Sequence, residues 1–156
     1  MAIPTKHVAG RRALHFNSYQ ALLDEVHALA GKPTRCLGNW SLGQICQHLA
    51  KAMNMALDGV EFKAPWYVRI VARMMKNRIL SRPMSPGFQL PKPAAAILPD
   101  DTDHGEGIAA LEKACARMQT EPQRHPHPAL GPLTREEWDR LQFLHAAMHL
   151  SFIVPA

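Results

Sequence analysis

No stretch of this sequence is long and apolar enough to span a bilayer, so a membrane-embedded protein is not expected. The N-terminal segment MAIPTKHVAGRRALHF lacks the apolar centre of a secretory signal, and polar and aromatic residues follow Arg11-Arg12 where a twin-arginine signal needs a hydrophobic stretch. Cysteine is scarce and odd in number (Cys36, Cys46, Cys115), with no CxxC pair. That argues against a disulfide framework and makes a reducing, cytoplasmic setting the expectation. Cys46 and Cys115 read as small core residues on apolar helix faces, and Cys36 as a loop residue. Period-two alternation is missing as well, so no sheet is expected. Acidic residues are absent from Phe62 to Pro99, where Lys63, Arg69, Arg73, Lys76, Arg78, Arg82 and Lys92 stand alone. Basic asymmetry of this kind marks a nucleic-acid or membrane surface, a funnel for small anions, or a solvated face. No nucleic-acid motif accompanies it, which favours the last two and predicts neither a nucleic-acid nor a membrane partner.

What is present is helical. The chain has 156 residues, 47% of them hydrophobic, enough for one domain over residues 1–156 with a core of its own. The first helix is expected from about Ser18 to Ala30, capped by Asn17 with Gln20 and stopped at Gly31. Ser41 and Gln44 have capping-box spacing for a second helix, with Trp40 and Ile45 placed as a staple and Gly59 as its end. A third helix over Trp66–Leu80 divides its residues, with Arg69, Arg73 and Lys76 on one side and Val71, Met74 and Met75 largely on the other. Pro83, Pro86, Pro91, Pro93 and Pro99 forbid a regular helix or central strand in a long crossover after it. Asp103 with Glu106 opens a fourth helix. Thr134 with Glu137 opens the last, expected to run to about Ile153. Amphipathic helices joined this way imply an all-α helix bundle.

His145 and His149 lie one turn apart on the last helix, both within roughly 50° of the centre of its apolar stripe. Two polar rings directed at a core need partners, and a metal ion is one way to satisfy both; backbone groups or water are the other. Ala146 follows His145, so the glutamate base of an HExxH peptidase is absent. No Glu-x-x-His pair occurs in the helices to support a di-iron bundle. His48, bordering the apolar stripe of the second helix, is the best third ligand, although a bordering histidine can also face solvent. Three neutral imidazoles leave an open position for water or substrate. The remaining histidines fall in loops, termini or surface positions. His125-Pro126-His127-Pro128 reads as a rigid turn.

The segment GNWSLGQICQHLAKAM resembles the second helix of DinB-like proteins, and HPALGPLTREEWDRLQFLHAAMHLSFI resembles their closing helix. RRALHFNSYQALLDEV and RPMSPGFQLP resemble a subfamily of uncharacterised DinB-like proteins, so the likeness covers nearly the whole chain. It implies an up-and-down four-helix bundle with a long Pro-rich crossover, a homodimer, and a divalent metal, zinc or nickel, on His48, His145 and His149. Met148 stands where some relatives carry another histidine. The implied function is that of a metal-dependent transferase or hydrolase activating a thiol or water, with a small-molecule substrate such as a low-molecular-weight thiol. Arg69, Arg73 and Lys76 would attract its carboxylate, Trp66 and Tyr67 would wall the pocket, and Asp58 or Glu61 would be nearest as acid or base. The alternative is a non-catalytic metal-binding or stress-associated bundle.

Overall fold

The computed structural model describes residues 2–88 and 91–156. The chain is mostly helical: α1 (Tyr19–Ala30), β1 (Thr34–Cys36), α2 (Leu42–Asp58), α3 (Trp66–Met74), α4 (Lys76–Ile79), α5 (His104–Thr120), α6 (Arg135–Leu150) and β2 (Ile153–Pro155), with a 3₁₀ segment at Lys92–Ile97. Helix starts follow the caps. Ser41 Oγ accepts from the Gln44 amide while the Gln44 side chain accepts from the Ser41 amide, and Thr134 and Glu137 do the same for α6. Asp103 accepts from the Glu106 amide at the start of α5. For α1 the cap is Ser18, which accepts from the Ala21 amide, and not Asn17. Both residues suit the position, and the local spacing does not choose between them.

Leu22, Val26, Leu49, Met53, Leu111, Met118, Trp138 and Leu150 meet in one core drawn from α1, α2, α5 and α6. Cys46 and Cys115 are buried in it, and burial pushes both thiols up to about 12, so they are inert at neutral pH. Helices α2 and α5 touch backbone to backbone. A Cβ on Gly107 would lie 2.1 Å from the Gly43 carbonyl oxygen, so only glycine permits this approach. Tyr19 ties α1 to α6 by donating to Asp139 at 2.5 Å.

Two expectations are corrected. α6 ends at Leu150, and Ile153–Pro155 instead pairs antiparallel with Thr34–Cys36, making a two-stranded ladder where no sheet was expected. Three-residue strands are too short to show alternation. The helix expected over Trp66–Leu80 is broken at Met75 into α3 and α4. Along α3, Arg69 is half-buried and Arg73 is exposed. The Arg73 guanidinium lies over Gly131, and Lys76 pairs with Glu137 at 2.7 Å. The apolar side of α3 faces out, with Trp66 71% and Met74 82% exposed. Among the described residues no helix is long and apolar enough to cross a membrane.

Candidate metal centre

His48 projects from the middle of α2, and His145 and His149 project from the last two turns of α6. Their Nε2 atoms converge. His48 lies 3.1 Å from His145, and His149 lies 3.0 Å from His145. Ligand atoms of all three fall within 4.8 Å of one another. His48 is only 2% exposed, deeper than its bordering helical position implied. The 3₁₀ segment Lys92–Ile97 covers it, and its Nδ1 sits 2.7 Å from the Ile97 carbonyl oxygen. A carbonyl can only accept, so Nδ1 carries the proton and Nε2 presents a lone pair to the other two rings.

Trp40 holds the rings in place. Its indole stacks on His149 at 5.3 Å and 19°, and packs on His48 at 4.9 Å. Burial lowers the basicity of all three imidazoles. It pushes His145 down to about 3, helped by the charge a protonated His48 would bring. Burial takes His149 well below its ordinary value, reinforced by His145, and lowers His48 despite the Ile97 hydrogen bond. The three rings are therefore neutral at pH 7, the form that binds metals.

Beside the triad is a cavity of about 710 Å³. Its walls are largely apolar, with Trp40, Met84, Phe88, Ile97, Met148 and Phe152 among them. The β1–β2 ladder brings Phe152 to this wall, where the Leu37 amide donates to its carbonyl at 2.9 Å. The Pro-rich crossover supplies the opposite wall through Met84–Phe88 and Ile97. Leu90, further along the same crossover in sequence, lies outside the described residues.

Several sequence-based assignments do not reach this cavity. Arg69, Arg73, Lys76, Trp66 and Tyr67 are not on its walls. Neither are Asp58 and Glu61; Asp58 is paired with Arg117 at 2.7 Å. Among the described residues no carboxylate lines the cavity. Cys36 does line it, close by in space because of the β1–β2 pairing, a position its loop sequence did not signal.

Comparison with curated proteins and with solved structures found no match. The family comparison did find one, spanning both helices that carry the triad: over residues 8–156 the chain belongs to the family described as "Protein of unknown function (DUF1569)".

Proposed function

We propose that His48, His145 and His149 bind one divalent metal ion, zinc or nickel, in a DinB-like up-and-down four-helix bundle, and that the chain is a metal-dependent enzyme acting on a small thiol. The observation that carries this reading is the conflict among the three Nε2 atoms. His48 offers a lone pair there. His145 faces both neighbours and has at most one Nε2 proton, so the two contacts leave lone pairs opposed in a buried place. A cation resolves the conflict at once. Ligand nitrogens on a tetrahedral zinc at 2.0–2.1 Å stand about 3.3 Å apart, close to the observed 3.0 and 3.1 Å.

A divalent ion bound there supplies a lowered pKa to a thiol or water in its open position. The chain's own groups do the rest. Ile97 fixes the His48 tautomer, Trp40 orients two rings, and Met84, Phe88 and Met148 thin the water beside them. The lack of a lining carboxylate favours a thiol over water as the nucleophile. A bound divalent ion would supply that acidity to a thiol directly, whereas hydrolysis would be helped by a protein base, and no carboxylate among the described residues lines the cavity. The same reading takes a small molecule as the partner, not nucleic acid or membrane, and a reducing cytoplasm as the setting. It also takes a homodimer as the assembly, in which a second copy covers the exposed apolar side of α3; Met74→Glu should then yield monomer in sedimentation.

The test is elemental analysis of untagged protein, followed by a metal-titrated screen of several thiols against a generic electrophile. One equivalent of zinc or nickel is expected in the wild type and none in His145→Ala, together with a metal-dependent rate well above that of His48→Ala. Metal without any such rate across the panel would replace this reading with the non-catalytic metal-binding one.

A further inference from the structure

The acid-free basic segment that the metal centre does not use forms a cavity of its own. This space of about 300 Å³ lies between the residues leading into α3, α3 itself and the loop from His125 to Pro132. Lys63, Arg69, Arg73, His125 and His127 line it, and among the described residues no acidic side chain does. Lys63, Arg69 and Arg73 take no part in the ion pairs among the described residues, unlike Lys76 next to them, which Glu137 neutralises. Three cations without an acidic partner around so small a space favour an anion there.

The walls are built, not draped. The Arg73 guanidinium rests on Gly131, with Nη2, Nε and Cζ 2.7, 2.9 and 3.1 Å from the place of a Cβ. The His125 ring rests on Gly59 in the same way, its Nδ1 2.8 Å from that glycine's Cβ position. Both glycines have positive φ, +75° and +78°, which residues with a side chain seldom adopt. Backbone bonds fasten the loop: His125 N to Ala56 O, Ala64 N to Pro128 O, and the paired bonds between His127 and Gly131.

His127 adds an oriented donor. Its Nδ1 accepts from the Ala129 and Leu130 amides, both at 3.1 Å, so the ring proton sits on Nε2. Nε2 has no hydrogen-bond partner among the described residues, and burial holds the ring neutral by pushing it down to about 4. A neutral ring with its proton on Nε2 can offer a hydrogen bond there but cannot take a metal at that atom.

We propose that this cavity binds a phosphate-sized oxyanion, held by the guanidinium groups of Arg69 and Arg73, the Lys63 ammonium and the His127 Nε2–H. Guanidinium forks match the oxygen spacing of phosphate, and the cavity volume is at the small end for ligand sites. The cavity shares no lining residue with the one beside the metal centre, and His127 lies near enough to His145 to lower its basicity.

The test titrates metal-free protein with inorganic phosphate, against sodium chloride at matched ionic strength, following the imidazole resonances of His125 and His127 and the Ala129 and Leu130 amides by NMR. Working without metal keeps phosphate from reporting on the histidine triad. Saturable shifts are expected with phosphate and not with chloride. Arg69→Ala and Arg73→Ala should each weaken binding about tenfold or more, in line with loss of a charged hydrogen bond. Arg82→Ala, exposed and outside the cavity, should titrate like the wild type. If Arg73→Ala fails to fold by circular dichroism, Arg69→Gln carries the test. Equal responses to phosphate and chloride, or wild-type affinity in folded Arg69 and Arg73 variants, would overturn the proposal.

Discussion

The metal centre and the basic cavity are both made from ring and guanidinium nitrogens, yet they ask for opposite charges. In the first, the Ile97 carbonyl accepts a hydrogen bond from Nδ1–H of His48 and leaves a lone pair on Nε2. In the second, the Ala129 and Leu130 amides donate to Nδ1 of His127 and put the proton on Nε2. One backbone group on the far nitrogen decides whether a buried histidine seeks a cation or an anion. Burial keeps both kinds neutral, so what separates them is the tautomer and the company: other imidazoles in one case, unpaired Arg and Lys in the other.

The largest expected effect breaks the first site alone. His145→Ala should abolish stoichiometric metal in plasma emission analysis, a loss beyond the roughly 10–100-fold that removing a supporting hydrogen bond costs. It should leave phosphate shifts at His127 unchanged; coupled loss would show that the two sites are one. Next is Trp138→Ala. The Trp138 ring is buried against His127, and its Nε1 donates to the His125 carbonyl at 3.2 Å. Truncation should cost about 3–5 kcal/mol in urea unfolding, and should blur the basic cavity more than the triad.

Acid separates the two states of the metal centre. The folded pKa values of His48, His145 and His149 lie below the unfolded value, so between about pH 6.5 and 3 the unfolded chain binds more protons. Stability of metal-free protein should therefore be intact above pH 6.5 and fall with acid, by up to about 1.4 kcal/mol per pH unit for each histidine that titrates only on unfolding. Excess zinc should shift the onset lower, because metal and protons compete for the same nitrogens. A urea midpoint that is flat from pH 7 to 4 without metal would contradict the buried, neutral triad. The smallest effect is Ser41→Ala. Losing the cap of α2 should cost about 1 kcal/mol and leave metal stoichiometry unchanged, since His48 sits two turns inside the helix.

Legibility in the sequence followed the range of the interactions. The starts of α2, α5 and α6 were readable because a capping side chain bonds an amide three residues on, inside the window that the sequence displays. His145 and His149 were readable as a pair because helical geometry alone stacks residues four apart. Their convergence with His48 was less so. Helical angle put His48 at the edge of its stripe, and only the distant segment ending at Ile97 covers it. The β1–β2 ladder and the Cys36 position next to the cavity depend on pairing between chain segments more than a hundred residues apart.

Composition, capping spacing and apolar periodicity thus determined the helices, the core residues and two inward-facing histidines, because each rests on contacts within a turn or two of the chain. Tertiary structure alone decided which way α3 faces. Its two sides were legible, but the neighbours were not: the loop with Gly131 lies against Arg73, Glu137 pairs with Lys76 of α4, and both belong to the last third of the sequence. It likewise decided the tautomers of His48 and His127, because the group hydrogen-bonded to Nδ1 is a backbone carbonyl or amide that only the folded chain brings within reach.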